Sequence, residues 1–235
     1  MSFGNPHRHQ RRCDSTNDLA RELAAAGAPS GTVVTADEQA AGRGRQGRSW
    51  TAPPGKALLY SAILRPLTER HLVLPLAAPL AVADAAEAVA AVRCSIKWPN
   101  DIWIEGRKCA GVLIEARPRD GWAVIGVGLN VSIEPDAFPA ELRETATSLG
   151  QGATVDGALR ALNESLERWV GADPQEVLAA FGERDALRGR QISWEGGEGT
   201  AEGIDARGNL LVATESGETV SLGAGEVHLG PASGP

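Results

Sequence analysis

Four short apolar segments, rich in valine and isoleucine, follow one another between residues 95 and 131 of this 235-residue chain. They cover residues 95–98, 102–105, 109–116 and 122–131. The residues between them are typical of turns: Pro99-Asn100-Asp101, Gly106-Arg107 and Asp120-Gly121. Strands so closely spaced are joined by tight turns, so the pattern predicts a meander that feeds a mixed β-sheet.

Helical patterns precede and follow this meander. Residues 15–26 begin with Ser15 and Asp18 at the spacing of a capping box, and this helix is expected to stop at Gly27. Further helices are expected at residues 72–92, 158–170 and 174–182, and further strands at residues 32–36 and 57–64. The combination predicts an α+β fold in which helices flank a mixed β-sheet.

The character of the chain changes at Gly189, after which short alternating segments are separated by glycine turns about every eight to ten residues. That pattern is typical of a small β-barrel. We therefore place a boundary near Asp185, between a main domain over residues 15–185 and a barrel over residues 186–235. Because five short strands bury little apolar surface, the barrel is expected to lean on the main domain. Residues 1–14 are expected to form a disordered tail.

The formal net charge of -7 argues against general affinity for nucleic acid, because proteins that bind duplexes usually carry a net basic domain. The three cysteines are far apart and form no CxxC pair: Cys13, Cys94 and Cys109. Neither a disulfide framework nor a structural zinc site is expected, which fits a reducing cytosol. No histidine belongs to a cluster with metal-ligand spacing, and no GxSxG serine supports a nucleophilic hydrolase.

The most apolar stretch, residues 72–92, indicates a buried or amphipathic helix rather than a membrane span, because prolines and acidic residues interrupt it. Its prolines, Pro75 and Pro79, are expected to delay or kink the start of the helix. The N-terminal segment MSFGNPHRHQRRC is basic but has no apolar core, so it is not a secretory signal. We expect a cytoplasmic protein without membrane contact.

The stretch GRGRQGRSW, residues 42–50, alternates glycine with arginine and ends in tryptophan. Glycine is unfavourable in helices and strands, so the stretch predicts a mobile loop. Guanidinium groups offer planar forks of donors that suit phosphate or carboxylate, and glycine lets backbone N–H groups approach an anion closely. The loop is therefore suited to closing over a multiply charged ligand, and a solvated surface turn is the alternative. It matches no Walker loop.

The sequence KWPND, residues 97–101, places a cation, an amide and a carboxylate at the end of a predicted strand. Ligand sites often lie at such strand ends. Lys97 could neutralise phosphate, and Asp101 could hold a hydrated magnesium ion. The simpler interpretation is a turn, and for Asn100 the spacing alone favours that turn.

Two further motifs lie on predicted strands. In GRKCAGVLIE, Lys108 stands at the start of an apolar strand, where it either reaches solvent or faces a bound anion, and Gly111 suggests a close approach of a ligand or backbone. In GVGLN, the alternating glycines Gly126 and Gly128 leave one face of a strand without side chains. That bare face could bed a flat ring, and a tight strand crossing explains it equally well.

Taken together, these motifs resemble the biotin protein ligases. A Ser-Thr-Asn start, GRGRxGRxW, KWPND, RKxAGxLxE and GxGxN occur in that family's order, followed by a small C-terminal barrel, over residues 14 to about 229. KWPND with RKxAG downstream is highly specific, whereas GRGRxGR alone is moderately so. The resemblance implies a class II synthetase-like catalytic domain, as in biotin and lipoate ligases, with an SH3-like C-terminal barrel.

The resemblance also implies an activity and a site. The family activates biotin with ATP and Mg²⁺ to biotinyl-adenylate, and then transfers biotin to a lysine of a biotin carboxyl carrier protein of acyl-CoA carboxylases. By position, the residues at biotin would be Ser15, Thr16, Asn17, Gln39, Gly42, Arg43, Lys108, Gly111 and Gly126. The residues at ATP or the adenylate would be Arg43, Arg45, Trp50, Lys97, Asn100 and Asn130, with Asp101 at magnesium. Lys108, Arg43 and Arg45 would carry the catalysis.

Adenylation suits these residues, because the protein has only to align a carboxylate with the α-phosphorus and to cancel their mutual repulsion. The flexible loop would open to admit ligands and close to shield the reactive adenylate from water. Gln46 and Cys109 depart from residues common in the family, and neither departure threatens the chemistry.

Two other functions remain as alternatives. One is a lipoate or octanoate ligase on the same scaffold, and the other is a ligand sensor or DNA-binding regulator without catalytic activity. Only Met1 to Asp14 precede the Ser-Thr-Asn segment, which is too short for a helix-turn-helix domain, so we expect an enzyme that does not bind an operator. Either a monomer or a homodimer is compatible with the sequence.

Overall fold

A seven-stranded mixed sheet forms the centre of the computed structural model, which describes residues 2–223 and 225–230. Its strands are β1 His7–Cys13, β2 Val33–Gln39, β3 Ala57–Leu64, β4 Cys94–Lys97, β5 Asp101–Ile104, β6 Arg107–Arg117 and β7 Trp122–Asn130. Their order is β1-β2-β3-β7-β6-β5-β4. Only β1 and β2 pair in parallel; the other neighbours are antiparallel, and β4 to β7 form the predicted meander.

In the described part of the chain, four α-helices cover the two faces of this sheet: α1 Thr16–Ala25, α2 Leu74–Val89, α3 Val155–Gly171 and α4 Pro174–Arg184. Helix α1 packs with Ile63 and Val124 on one face. Helices α2 and α3 form the main core on the other face, where the Tyr60 hydroxyl donates to Asn163 of α3 at 3.0 Å. Strand β3 is buried at every position because both faces are covered, which explains its unbroken apolar sequence. The α+β prediction is confirmed.

The start of α1 differs from the predicted capping box. Ser15 is the N-cap residue, but its side chain accepts no hydrogen bond from the first turn. Instead, the free amide of Thr16 donates to the side-chain oxygen of Gln39 at 2.8 Å. A residue from β2 therefore satisfies this helix end, and the polar side chains of the first turn are left to face a neighbouring cavity.

The apolar segment begins with a 3₁₀ turn over Glu69–Val73 and continues as α2, with Pro75 in the first α-helical turn and Pro79 inside the helix. Within the described part of the chain, Glu69–Val89 is long and apolar enough to cross a membrane by length and composition alone. That test is also passed by core helices, and 67% of the most apolar window is buried inside this protein.

The N-terminal segment is an ordered edge strand, so the prediction of a disordered tail over residues 1–14 is wrong for the described residues. Strand β1 pairs with β2 from His7 to Cys13, and the His7 ring nitrogen contacts the Thr35 hydroxyl at 2.8 Å. Further upstream, Phe3 is buried in the core. Backbone pairing with β2 orders this strand, and its side chains are mostly exposed. Its sequence therefore needs no alternation of apolar and polar residues.

A second, five-stranded antiparallel sheet follows α4. Its strands are β8 Gln191–Trp194, β9 Gly197–Ile204, β10 Leu210–Ala213, β11 Thr219–Leu222 and β12 Val227–Leu229, in the order β11-β10-β9-β8-β12. The predicted barrel does not close among the described residues, because β11 and β12 are the two edge strands, at opposite ends of the sheet. As expected, the module leans on the main sheet: the Trp98 indole donates to the carbonyl of Gly208 at 3.0 Å.

Candidate functional site

The principal cavity lies on the α1 side of the large sheet, beneath the loop that joins β2 to β3. It encloses about 940 Å³, including the solvent at its open mouth. Its walls come from the start of α1, the glycine-arginine loop, the middle of β6 and β7, the Trp98–Asp101 turn, and residues 225–227 of the C-terminal module. Four of the motifs singled out in the sequence therefore meet in one place.

One end of the cavity is built from small polar side chains. Ser15, Thr16 and Asn17 are only 3%, 3% and 5% exposed. The hydroxyl of Ser61 on β3 lies 2.6 Å from Asn17 Oδ1 and 2.8 Å from Thr16 Oγ1, and Gln39 accepts from Thr16. Such a fixed set of donors and acceptors suits a neutral polar ring, because it selects by hydrogen-bond pattern rather than by charge.

Glycines of β6 and β7 form the floor. Gly111 pairs with Gly128, and Gly126 lies two residues earlier in β7, on the same face of the strand. A Cβ atom added at Gly128 would lie 2.6 Å from Trp50 Nε1, and one added at Gly126 would lie 2.8 Å from Asn17 Cγ. The bare face does bed a flat ring, as the sequence suggested, and that ring is the chain's own Trp50 indole.

Trp50 also carries an unusual donor. Its indole nitrogen is buried and has no hydrogen-bond partner within the described residues. A buried donor without a partner is costly, and such groups often mark a position where a ligand supplies the acceptor. Trp50 therefore fits a place in the wall of a site that binds a polar ligand.

The glycine-arginine loop forms a small hairpin. The Trp50 amide donates to Gly42 at 2.9 Å and the Gly44 amide to Arg48 at 2.7 Å. At its tip, Gln46 has a φ of 54°, in the left-handed region that costs a non-glycine residue about 1 kcal/mol. Arg43, Gln46 and Arg48 are exposed, so the ion pairs of the arginine side chains contribute to where the hairpin docks.

Each loop arginine has a different partner. Arg43 lies 2.7 Å from Asp18 and 3.5 Å from Glu115, beside the polar end of the cavity. Arg45 donates to Asn100 at 3.2 Å. Arg48 pairs with Glu226 of the C-terminal module. The sequence predicted that these side chains face anions, but it could not assign them to different ends of the site.

The other end of the cavity is charged. Lys108 Nζ lies 2.6 Å from Asp101 Oδ1 and 5.7 Å from the centre of the Trp50 ring. Burial lowers the pKa of Arg45, although Asp101 opposes the shift. Burial likewise lowers the pKa of Lys97, against the attraction of Asp101 and Glu226. Cations withdrawn from water in this way interact strongly with an anionic ligand that enters among them.

The structure brings most of the predicted site residues to this cavity. Those that line it are Ser15, Thr16, Asn17, Gln39, Arg43, Arg45, Trp50, Asn100, Asp101, Lys108, Gly111 and Gly126. Gly42, Lys97 and Asn130 are not among the lining residues. The Asn130 amide donates to the carbonyl of Thr147 at 3.0 Å, and Lys97 lies 5.4 Å from the centre of the Trp103 ring.

Sequence reasoning missed Ser61, Glu115 and Glu226. Ser61 could have been found in the sequence. It carries the one aliphatic hydroxyl in the fully buried strand ALLYSAIL, whose other hydroxyl belongs to an aromatic side chain, Tyr60. Glu115 lay inside the quoted motif GRKCAGVLIE but was given no role. Glu226 gave no signal, since only the packing of the C-terminal module brings it to Arg48.

The charged end offers little for a metal by itself. No group of three or more histidine, cysteine, aspartate or glutamate side chains suited to a metal ion occurs among the described residues. Asp101 supplies one carboxylate, which is already paired with Lys108. This donor set fits Mg²⁺ only if the ion arrives on substrate phosphates and takes few protein ligands, which is common for that ion.

Comparisons with known proteins agree with this geometry. The family model described as the biotin/lipoate A/B protein ligase family matches residues 10–132, and the biotin protein ligase C-terminal domain matches residues 189–230. The chain is 35% identical over 237 residues to the biotin–[acetyl-CoA-carboxylase] ligase of Mycobacterium tuberculosis, covering 92% of this chain and 86% of that protein. The corresponding ligase of Paracoccus denitrificans is also 35% identical, over 93% of this chain and 98% of that protein.

Solved structures give the same result. The biotin protein ligase of Aquifex aeolicus in complex with biotin and ATP aligns with a TM-score of 0.79 and 27% identity, covering 96% of this chain and 99% of that chain. The Leishmania major biotin protein ligase in complex with biotinyl-5-AMP aligns with a TM-score of 0.67 and 26% identity. Since the family model matches more than half of the chain and the relatives align over most of their own lengths, the chain belongs to the biotin/lipoate A/B protein ligase family.

Proposed function

We propose that this protein is an ATP-dependent biotin–protein ligase that biotinylates a lysine of the biotin carboxyl carrier protein of an acyl-CoA carboxylase. The observation that carries the proposal is a single cavity with two chemically different ends. A neutral hydrogen-bonding end around Thr16 and Asn17 suits the ureido ring of biotin, and a cationic end around Lys108 suits a carboxylate and phosphates. The relatives named above support this choice of substrates.

The first step is adenylation. A biotin carboxylate oxygen attacks the α-phosphorus of ATP, the bond to the bridging β-phosphate oxygen breaks, and pyrophosphate leaves with both bonding electrons. Both reactants are anions, so the barrier includes their mutual repulsion. Lys108, which already holds one carboxylate at 2.6 Å, is placed to bridge the carboxylate and the phosphate, and no general base is required.

The second step is acyl transfer. The neutral amine of the carrier lysine attacks the acyl carbon of the mixed anhydride, the bond from that carbon to the phosphate oxygen breaks, AMP leaves as a stable anion, and the amide nitrogen releases one proton to solvent. The cavity protects the anhydride from water while the loop is closed, because Trp50 and the arginine hairpin cover it.

At the charged end, we assign Arg45, Asn100 and Lys97 to the nucleotide. Arg45 and Asn100 are already in contact at 3.2 Å, and the partial burial of Lys97 and Arg45 strengthens their attraction for phosphate. Mg²⁺, when bound with ATP, supplies charge neutralisation on the phosphates, and Asp101 would provide one oxygen ligand.

The test supplies purified protein with biotin, magnesium-ATP and an isolated carrier domain. We expect release of pyrophosphate and a carrier that streptavidin detects, with mass increased by one biotinyl group at one lysine. Parallel reactions replace biotin with lipoate or octanoate. Transfer of either acid in preference to biotin would assign the scaffold to that substrate instead, and the absence of any product with all three acids would reject the proposal.

The Lys108→Met variant tests the catalytic assignment. Methionine keeps most of the aliphatic stem but removes the charge, so adenylate formation should fall by about 100-fold or more. The free energy of unfolding should change by only about 1 kcal/mol or less, because the ion pair with Asp101 is partly exposed. Pyrophosphate release and thermal melts measure the two effects, and wild-type activity in this variant would remove Lys108 from the mechanism.

A further inference from the structure

A continuous chain of polar contacts crosses the neutral end of the cavity and begins at the base of the loop. Gln39, the last residue of β2, accepts from both the amide and the hydroxyl of Thr16, at 2.8 and 3.0 Å. The Ser61 hydroxyl lies between Thr16 Oγ1 and Asn17 Oδ1, at 2.8 and 2.6 Å. The orientation of the Asn17 amide is therefore set on its oxygen side by Ser61.

The chain continues through Glu115 and returns to the loop. The Asn17 amide nitrogen donates to Glu115 Oε2 at 2.7 Å. The same carboxylate lies 3.1 Å from Arg21 of α1 and 3.5 Å from Arg43 of the loop. Glu115 is thus the one described residue that contacts both the Asn17 amide and a loop arginine.

Charge balance explains why Arg43 docks there. Two carboxylates, Asp18 and Glu115, face the fixed cation Arg21, which contacts both of them. Only when the loop brings Arg43 to within 2.7 Å of Asp18 and 3.5 Å of Glu115 does this cluster contain as many cations as anions. The carboxylates of Asp18 and Glu115 therefore favour the closed loop. Glu115 also accepts from the Asn17 amide, so the position of that amide and the closure of the loop depend on the same carboxylate.

We propose that Glu115 is a positioning residue that couples the binding of the acyl substrate's ring to closure of the loop. It fixes the Asn17 amide with one oxygen and, together with Asp18, docks Arg43. A ring bound at Asn17 then stabilises the closed loop, and a closed loop retains the ring. This inference rests on the proposed function, because it takes biotin as the ring that binds beside Asn17.

The proposed coupling should affect the binding of biotin but not the binding of ATP. Glu115 lies four residues from Gly111 along β6, which corresponds to about 13 Å, so it is remote from the charged end beside Lys108. Glu115→Gln keeps an oxygen that can accept from Asn17 but removes the charge that docks Arg43. We expect the KM for biotin to rise about tenfold, because Arg43 loses its ion pair with the carboxylate and the acceptor of the Asn17 amide loses its charge. The KM for ATP should stay within about twofold of wild type.

A double-mutant cycle tests the link to the loop. In the full-length protein, Glu115→Gln, Arg43→Ala and the double variant are compared by steady-state pyrophosphate release with biotin varied at saturating ATP, and then with ATP varied. We expect the double variant to have nearly the same KM for biotin as the worse single variant, because both changes break one connection. Limited proteolysis within residues 42–50 should show that biotin protects the loop in the wild type and much less in each variant.

Glu164→Gln is the matched control, since it makes the same change on an exposed position of α3, on the other face of the sheet. If Glu115→Gln does not fold, as judged by its thermal melt, Glu115→Asp replaces it in the cycle with Arg43→Ala, because the shorter side chain keeps the charge but withdraws it from the Asn17 amide and Arg43. The inference is overturned if the double variant raises the KM for biotin by the product of the two single effects. It is also overturned if the variants raise the KM for biotin and the KM for ATP equally, which would indicate a merely structural role. A wild-type protein without biotin-dependent activity would overturn the proposed function itself, so the two failures are distinguishable.

Discussion

Gly128→Ala is the substitution for which the structure gives the sharpest expectation. The added Cβ would lie 2.6 Å from Trp50 Nε1 and 2.8 Å from Trp50 Cδ2, whereas ordinary contact begins at 3.4 Å. The rigid indole offers no flexible end that could turn aside, so the ring must move away from the sheet by about 1 Å, a displacement that can reduce catalysis by about 100-fold when it misplaces a site.

The displacement should spread to the loop. Trp50 closes the base of the hairpin because its backbone amide donates a hydrogen bond to the Gly42 carbonyl, and its ring lies beside Lys108. We therefore expect kcat/KM for pyrophosphate release to fall by about 100-fold. Overpacking of this kind should also lower the free energy of unfolding by about 1–3 kcal/mol.

The assay compares Gly128→Ala with Gly182→Ala, in which the same methyl group is added inside α4. Nothing lies within 4 Å of a Cβ at Gly182, so this control should keep full activity and gain about 0.5–1 kcal/mol of stability from the better helix former. Pyrophosphate release and denaturant melts are measured for both variants. Wild-type activity in Gly128→Ala would refute the claim that the indole must rest on a bare strand.

Two further predictions concern the framework. Trp98→Phe removes the indole bond to the Gly208 carbonyl, so the free energy of unfolding should fall by about 1 kcal/mol, and amide hydrogen exchange over residues 189–230 should accelerate; unchanged exchange there would show that this bond does not hold the module. Burial alone would raise the pKa of Glu87, but Arg184 and the Cys94 amide keep that pKa below its ordinary value of 4.5. This pair therefore stabilises the folded state above pH 4.5, and its contribution is lost as the pH falls through the lowered pKa. Arg184→Gln should weaken the pH dependence of the melting temperature in that acidic range, and an unaltered acid profile would contradict the assignment.

Local patterns predicted most of the secondary structure. The strand over residues 57–64 matches β3 at both ends, because a buried strand flanked by glycine and proline has clear boundaries in sequence. The meander was equally readable, since each of its strands pairs with its neighbour in the chain. These features depend on residues that are close in sequence, so the local pattern of apolar, polar and turn residues predicts them.

Features that depend on distant residues were not predictable in the same way. Strand β1 is ordered by its backbone ladder with β2, so its basic, non-alternating sequence suggested a disordered tail. Ser15 was expected to cap α1, but Gln39 satisfies the first amide instead. The barrel was inferred from short alternating segments separated by glycine turns, whereas closure depends on pairing between β11 and β12 that the structure does not show.

The candidate site shows the same division. The motifs predicted which residue types would gather, and the structure brings twelve of the fifteen named residues to one cavity. The partners of the loop arginines could not be predicted, because Asp18, Asn100 and Glu226 come from three different parts of the chain. Pairing of charges across such separations is decided by the fold, so the coupling role of Glu115 becomes visible only in the structure.

The most direct measurement mixes the protein with biotin and magnesium-ATP in the absence of any carrier, quenches the reaction and quantifies biotinyl-adenylate together with pyrophosphate. A site that joins the two substrates and shields their product should give a burst of both compounds, equal to each other and stoichiometric with the protein, followed by slow turnover. A steady release of pyrophosphate without retained adenylate, or the formation of neither compound, would contradict the account.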